Sequence, residues 1–556
     1  MIRPKIVSVD VLVIGGGIAG LAAAVYASRQ GKKVALLVKG PTCSTGIVGF
    51  NVAFHQSYTG DSPAQFFNDL VAAGGFLNDE KLVASMAYES EPVLMDLEEM
   101  GVQFQKDDKG RFAVRQAAGS SFPRTVYYGD LIGPQIMGKM NSILHSSGAE
   151  IHHGSSALTL LKAKGRVMGA LALKEDQMFA IAAKATVLAT GGAGNLYSFT
   201  TNPASITGEG YRMAMEAGAP LMDMEFVQFE PFIFVHPPNL KSWSIPTTSV
   251  WDGARVYNRE GHEFFPKDQN GKVKSLTKDV LSRLIFFEIA AGRGTPNGGV
   301  FMDWSVLPLE IIGKYPRFVK TVQDGGVDPY KVPMEVAPAH HHMMGGVMIT
   351  PNCQTDVPGL LAAGEVAAGV HSANRLAGAA GTDVLVFGRR AGMLAAEACK
   401  GVSVKKAEIK EAAARAIKGL SRWIGEAKEG EKQEMILSEL QETMWQKVGI
   451  IREAESLKSA LAKIGELKNR AQKLRAGGLA ELVPVLETWS ACLTASMVAQ
   501  AALAREESRG DHYRKDFPRR DDLHWLKHIV FQLSRIEDLK MKMIERRWVK
   551  IEKGGI

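Results

Sequence analysis

The chain has 556 residues, of which 46% are hydrophobic and 22% charged, and its formal net charge is +7. That length exceeds one ordinary core and predicts two or three domains, while the composition excludes a disordered or fibrous chain. The charge is modest and not interleaved with aromatic residues, which excludes a nucleic-acid-binding module.

The N-terminus, Met1-Ile2-Arg3-Pro4, runs almost directly into a strand pattern and leaves no room for a signal peptide. No apolar run reaches the roughly 18 residues of a membrane span. Residues 9–14 read as a buried parallel strand. Gly15-Gly-Gly-Ile-Ala-Gly20 follows, then an alanine-rich helix to about Arg29 and a second strand at Val34–Val38. This is a βαβ opening. Another β-rich stretch, about 150–190, ends in Ala185-Thr-Val-Leu-Ala-Thr-Gly-Gly192. Between about 226 and 335 Pro, Trp and Phe become frequent and turn clusters such as His236-Pro-Pro-Asn239 occur, which predicts an inserted domain. The α/β pattern returns at 336–404. From Lys405 to the end the pattern is almost all helical, broken at Gly477-Gly478 and Pro484. The expected divisions are 1–225, 226–335, 336–404 and 405–556. The basic residues Lys540, Lys542, Arg546, Arg547 and Lys550 read as a solvated helix face, with a docking face for an acidic protein or a membrane surface as the alternative. Cys43, Cys353, Cys399 and Cys492 are dispersed with no CxxC pair. That argues against an iron–sulfur or zinc site in this chain and predicts a reducing, cytoplasmic setting.

Gly15, Gly17 and Gly20 have the G-x-G-x-x-G spacing between a strand and a helix. The first glycine makes the turn, the second lets backbone approach a pyrophosphate, and the third allows close helix–strand packing. The helix N-terminus then offers unpaired N–H groups to the phosphates. The acid expected after the second strand for ribose hydroxyls is absent; Val38-Lys39 stands there, and a lysine suits a 2′-phosphate and hence NADPH.

Further segments bear on that choice: Ala189-Thr-Gly-Gly-Ala-Gly194; Thr201-Asn-Pro203 with Thr207-Gly-Glu-Gly210; Asp223-Met-Glu-Phe-Val-Gln228; His341-His-Met-Met-Gly-Gly346; Gly364-Glu365; Ala373-Asn-Arg-Leu376; and Glu507-Ser-Arg-Gly510 with Asp516-Phe-Pro-Arg-Arg-Asp-Asp522. In order, over nearly the whole chain, they resemble the flavoprotein subunits of fumarate reductase and succinate dehydrogenase, and L-aspartate oxidase; the adenylylsulfate reductase flavoprotein is a more distant relative. The resemblance implies an α/β fold, with a Rossmann-like FAD-binding domain in two segments, an inserted α+β capping domain and a C-terminal helical domain. It implies FAD at Gly15, Gly17, Gly20 and Lys39, at Thr190, Gly191 and Gly192, at Glu209 and Glu365, and, for the flavin, near Ser44, Thr45, Ala380 and Gly381. Respiratory members attach FAD to a histidine in a Ser-His-Thr segment. Here Pro41-Thr-Cys-Ser-Thr45 has Thr45 in the histidine's place, so the FAD is expected to be non-covalent.

The family reaction exchanges hydride next to a carboxylate, with cations gripping carboxylates and an arginine moving a proton. Arg375 and His341 match two gripping groups. Three others differ: Glu230 stands for a histidine, Lys278 in Thr277-Lys-Asp279 for the proton-donating arginine, and Pro246-Thr-Thr248 for a Thr-Glu-Gly relay. Two like charges about 4 Å apart cost about 4 kcal/mol at an effective dielectric near 20, so an unpaired Glu230 disfavours a dicarboxylate. Pairing of Glu230 with Lys278, or its protonation, is the expected escape. Lys278 is able to release a proton when burial lowers its pKa. The consecutive His340, His341 and His342 do not suggest a metal, since neighbours on a strand point to opposite faces.

The expected function is an FAD-dependent reductase or dehydrogenase of a C–C bond next to a carboxylate, other than fumarate, exchanging electrons with an iron–sulfur subunit. The chain is expected to have no transmembrane segment of its own, with peripheral membrane association open to it through a partner. The alternatives are an electron-relay subunit with a vestigial substrate site, a stand-alone aspartate-oxidase-like enzyme, and an NADPH-dependent one based on Lys39.

Overall fold

The computed structural model describes residues 4–40, 46–271, 273–274, 276–425, 432–535 and 538–545. Strand β1 (Lys5–Ile14) buries Val11, Leu12 and Val13 completely, and the chain turns at Gly15, φ +118°, into helix α1 (Ile18–Arg29). Strand β2 (Val34–Val38) returns parallel to β1. Strands β3 (Glu150–His153), β4 (Ser155–Ala163), β5 (Arg166–Lys174) and β6 (Gln177–Leu188) complete a sheet ordered β3-β2-β1-β6-β5-β4, to which Leu360–Ala362 adds parallel to β6. The carboxyl ends of β1, β6 and Leu360–Ala362 lie side by side, which is where open α/β sheets bind their ligands.

Helix α2 (Glu209–Ala217) and strand β7 (Leu221–Met222) close the first segment. The next layer is an antiparallel sheet of β8 (Val227–His236), β9 (Arg255–Tyr257), β10 (Val300–Asp303) and β11 (Met334–Met343), in the order β8-β11-β10-β9. It carries helix α3 (Lys278–Glu288) and its own core around Phe232, Phe234, Trp304 and Phe318. The expected division between 335 and 336 falls inside β11, because this strand both ends the capping sheet and carries His341 toward the FAD-binding part.

The second segment contributes helix α4 (Ala379–Ala398), packed directly on α1. Small residues make this approach possible. A Cβ on Gly388 would lie 2.7 Å from the Ala19 carbonyl oxygen, and one on Gly392 2.3 Å from that of Ala23. In a close-packed interior neither methyl has room.

The C-terminal part is mostly helical, and its longest helix, α5 (Leu479–Ala504), is apolar on all sides. Sequence reading finds no stretch able to span a membrane, yet α5 has the length and hydropathy for it; 83% of its apolar window is buried within the chain. An all-round apolar helix buried in this way is a core helix. The expectation of helix to the end fails at a hairpin of β12 (Lys527–Arg535) and β13 (Asp538–Glu545). Ile529, Val530 and Phe531 form an apolar run too short to separate strand from helix by pattern, and pairing with β7 decides it. Lys540 and Lys542 therefore sit on an exposed strand, not on a helix face; Arg546, Arg547 and Lys550 lie outside the described residues.

Buried charge joins these parts. Glu507, fully buried, accepts from Arg505 Nη1 at 3.0 Å, from Arg509 Nε at 2.7 Å and Nη2 at 2.9 Å, and from the Asp521 backbone N–H at 2.9 Å. Arg509 continues to the Gly75 carbonyl at 2.6 Å, and Arg505 to Glu225 at 2.6 Å and the Lys527 carbonyl at 2.7 Å. Removing one partner of a buried ion pair typically costs about 3–5 kcal/mol, because the other charge is left unpaired. Glu507→Ala is therefore expected to lower unfolding free energy by about that amount in chemical denaturation. A change within about 0.5 kcal/mol, the level of an ordinary surface substitution, would show that these arginines find other partners.

Candidate functional site

The loop from β1 to α1 forms a cradle with one open position. A Cβ on Gly15 would sit 2.0 Å from the Ala189 carbonyl oxygen, and one on Gly20 1.9 Å from that of Gly15. These two glycines are needed for packing. At Gly17 a Cβ would meet nothing within 4 Å among the described residues. Gly17 is the N-cap of α1 and no described side chain caps that end, so the first N–H groups of α1 are left for a ligand. Its neighbours at the end of β6 fit the same purpose: Gly191 has φ +73°, and the buried Thr190 hydroxyl has no partner among the described residues.

Lys39, at the end of β2, does not present a free ammonium for a 2′-phosphate. It is bound by Glu209 and, at 2.7 Å, by Glu487 of α5. Burial disfavours its charge, but the two carboxylates outweigh burial and raise its pKa. Glu209 is likewise committed, to Lys39 and to the Thr207 hydroxyl at 2.5 Å. The sequence-level case for NADPH rested on Lys39 being available, and this arrangement removes it. Glu487 lies outside every motif of the sequence, and nothing local to it signals a partner at Lys39.

Glu365 follows the strand Leu360–Ala362 and accepts from the Met343 backbone N–H at 2.9 Å. Burial pushes its carboxyl up to about 7 against that hydrogen bond and the attraction of Arg375. A carboxylate so poorly compensated is suited to accept from ligand hydroxyls. Both ring nitrogens of His371, the Ser372 hydroxyl and His342 Nε2 are also buried without hydrogen-bond partners among the described residues. Gly378, φ +79°, caps α4, whose first turn holds Ala380 and Gly381. The Ala379 N–H is taken by the Leu376 carbonyl at 3.0 Å, and no described side chain caps the N–H groups that follow, which makes them candidate donors. Ser44 and Thr45 lie outside the described residues.

At the other end β8 and β11 bring Glu230 opposite Ala339, one residue from His340. Lys278 reaches Glu230 Oε2 from the first turn of α3, so the predicted pair is in contact. The Thr247 hydroxyl donates to Glu230 Oε1. His341 Nε2 lies 3.6 Å from Glu230 Oε2, while its Nδ1 meets the Thr201 hydroxyl at 3.0 Å. Burial would raise the Glu230 carboxyl, but Lys278, His341 and Thr247 hold it at about 2. Burial lowers the Lys278 pKa, and Glu230 opposes that shift. His341 is kept well below the usual histidine range, first by burial and despite Glu230. The three consecutive histidines diverge: His340 stacks on Tyr197 with ring centroids 4.9 Å apart, away from Glu230. Among the described residues no cluster of three or more His, Cys, Asp or Glu is placed to hold a metal ion.

Arg375 completes the site. Its Nε donates to Gln228 Oε1 at 2.9 Å, and its buried Nη2 has no partner among the described residues. Asn374, beside it, donates to Asp279 of α3 at 3.0 Å. Gln228 closes one of the sequence motifs, where no role attached to it. Asp511, 3.3 Å from Gln228 Nε2, directly follows another. An acid next to a segment that enters the site was the available signal for it.

Comparison with known proteins accords with this geometry. The sequence profile of the FAD binding domain family matches residues 10–380, and that of the fumarate reductase flavoprotein C-terminal family matches 437–553. The chain is 38% identical over 524 residues to a fumarate reductase (CoM/CoB) subunit of Methanothermobacter marburgensis, covering 92% of this chain and 94% of that one. It is 31% identical to L-aspartate oxidase of Synechocystis, covering 95% and 97%. The E. coli quinol fumarate reductase flavoprotein superposes with a TM-score of 0.90 at 28% identity, covering 99% of each chain. Adenylylsulfate reductase of Archaeoglobus fulgidus, at 20% identity and TM-score 0.78 over 100% and 98%, shares the fold.

The open cradle at Gly17 and the unpartnered polar atoms beyond it fit FAD. Gly17→Ala is expected to leave apoprotein stability unchanged and to weaken FAD binding at least about tenfold, or 1.4 kcal/mol, in a reconstitution titration. Gly20→Ala, overpacked against backbone, is expected to destabilise the fold by about 1–3 kcal/mol. Equal FAD affinity in Gly17→Ala and wild type would move the pyrophosphate elsewhere.

Proposed function

The chain belongs to the FAD-binding family that contains the fumarate reductase flavoproteins and L-aspartate oxidases, and from that premise we propose that this FAD-dependent oxidoreductase reduces or dehydrogenates a C–C bond next to a single carboxylate. The observation that carries the reading is the Glu230–Lys278 pair. Of the cations at the substrate end, Lys278 is committed to Glu230, whereas Arg375 keeps Nη2 without a partner among the described residues. One arginine fork matches one carboxylate. A second carboxylate at Glu230 would meet an anion whose compensation is already in place. The unequal ends favour a monocarboxylate over fumarate or succinate.

When bound, FAD would supply the hydride chemistry at one carbon of the bond. The protein's own groups act around it. Arg375, held by Gln228, orients the carboxylate. Lys278 Nζ gives or takes the proton at the neighbouring carbon, taking the part of the family's arginine. Glu230 and Thr247 fix Lys278 in the first turn of α3, and His341 closes the wall between them. The capping domain excludes water through contacts that cross to the FAD-binding part, among them the Phe318 N–H on Asp130 at 2.9 Å. Retention of a bare Arg375 Nη2 favours an enzyme over an electron relay, which has no need of it.

Electrons are exchanged with a separate iron–sulfur chain in this reading. The cysteines are dispersed in the sequence, and Cys353, Cys399 and Cys492 are each buried singly. The similar proteins of M. marburgensis and E. coli are themselves named as subunits. The FAD is non-covalent because residue 45 is threonine; acid precipitation is expected to release all of the yellow colour, and a flavin retained by the pellet would refute this.

The function is tested by oxidation of reduced viologen with fumarate, crotonate and related enoates, where a monocarboxylate is expected to be the better acceptor. Fumarate as the preferred acceptor would overturn the single-carboxylate reading. Lys278→Ala is expected to lower kcat by about 10²–10⁴, the usual contribution of a positioned acid. In the reductive direction Lys278 must be protonated, so kcat/KM falls as pH rises through its pKa. Glu230→Gln removes the charge that opposes the lowering of that pKa. The alkaline limb is therefore expected to move to lower pH. An unmoved limb would remove Lys278 from the proton step.

A further inference from the structure

The segment Glu507–Asp511 enters the edge of the substrate end, and the reaction described above assigns no part to its last residue. Asp511 is 5% exposed. Its backbone N–H donates to the Ala373 carbonyl at 2.9 Å, which pins it beside Asn374 and Arg375. Its Oδ2 accepts from Gln228 Nε2 at 3.3 Å. The same Nε2 faces Asn374 Oδ1 at 3.0 Å and the Arg375 carbonyl at 3.1 Å, while Gln228 Oε1 accepts from Arg375 Nε at 2.9 Å. Only one orientation of the amide fits, with its two N–H groups shared among the three acceptors, since the opposite one would set an NH₂ group against the arginine N–H. On the far side, Arg283 of α3 donates to the Gly510 carbonyl at 2.9 Å and to Asp279 at 2.8 Å, and Asp279 accepts from Asn374. These contacts form a ring through the capping helix, the Asn374–Arg375 turn, β8 and the C-terminal part.

We propose that Asp511 is a positioning residue of the carboxylate clamp: it holds Gln228 in the orientation that leaves Arg375 Nη2 bare for the substrate, and its own charge sets how strongly a carboxylate is held. The proposal rests on the reading of Arg375 as the group that grips the substrate. The charged groups around Asp511 are Lys278, Asp279 and Arg283 from α3, Arg375 from the turn, and Arg452 from the C-terminal part. Burial raises the Asp511 carboxyl well above the usual range and Asp279 adds to this, against Arg283, Gln228 and Arg375. While protonated, Asp511 leaves the charge of Arg375 to the ligand. Once ionised, it competes for that charge and repels an incoming carboxylate. Affinity for a carboxylate is therefore high below the pKa of Asp511 and falls as pH rises through it.

The test uses the FAD-loaded full chain, with crotonate binding read from the flavin absorption change at a series of pH values. In wild type the crotonate Kd is expected to rise with pH by up to about tenfold per pH unit, the limit for one proton. Asp511→Asn keeps the shape and an acceptor toward Gln228, and is expected to bind as wild type does at acid pH with no such rise. Asp511→Ala, with the Gln228 contact gone, is likewise expected to lose the rise and to bind more weakly than Asp511→Asn at every pH. If Asp511→Asn retains the wild-type pH dependence, the assignment is wrong while the clamp stands. If Arg375→Gln leaves crotonate binding unchanged, the clamp itself is refuted and Asp511 with it.

Discussion

The Glu507 carboxylate ties the first FAD-binding segment to the C-terminal part beside the site. It holds Arg505 and Arg509, and through them Glu225, Gly75 and Lys527, with the Glu507, Arg505, Arg509 and Glu225 side chains out of water. Charges buried so deeply are tolerated only with near-complete hydrogen bonding. The network therefore permits few geometries, and it passes that restriction on to the loop ending at Asp511. From there the restriction reaches Gln228, then Arg375, and then α3 through Arg283. The position of Arg375 is thus set by residues drawn from the first segment, the capping domain and the C-terminal part together.

The Glu230–Lys278 pair answers a question that charge counting raises. An isolated Glu230 would be a strong deterrent to any dicarboxylate. In contact with Lys278 its charge is balanced, and the deterrent becomes the loss of a free cation. In the single-carboxylate reading proposed above, selectivity then comes from what Arg375 alone offers, together with the shape of the wall made by Thr247 and His341. The same pairing gives Lys278 two opposed influences, burial and Glu230, which is the condition under which a lysine serves near neutral pH.

Much of the cofactor region was legible in the sequence because glycine leaves few alternatives. Gly15 and Gly20 each stand where no Cβ fits, and their spacing after a strand identifies the turn. The contact of Glu230 with Lys278 was legible as well, since each replaced a residue of a recognisable motif. Lys39 shows the limit. Its neighbours in sequence suggest a phosphate reader, but the carboxylates that bind it come from α2 and α5, the latter 448 residues away. Side-chain partners at such separations leave no local pattern. The hairpin of β12 and β13 was missed for a related reason: Ile529, Val530 and Phe531 become strand only when β7 is beside them.

The seam of alanine and glycine between α1 and α4 has a consequence for how the protein is made. The residues that would cradle FAD run from Gly15 to Gly381, and the two helices that pack along this seam belong to opposite ends of that interval. A ribosome that has finished the first segment has released the glycine turn but neither Glu365 nor the second helix. Synthesis proceeds at about 5–20 residues per second, so the nascent chain waits many seconds with half a cofactor site and with the apolar face of α1 uncovered. Loading of the flavin is thereby confined to the late stage of synthesis or after release. A cell short of the cofactor would accumulate whole chains, not truncated ones.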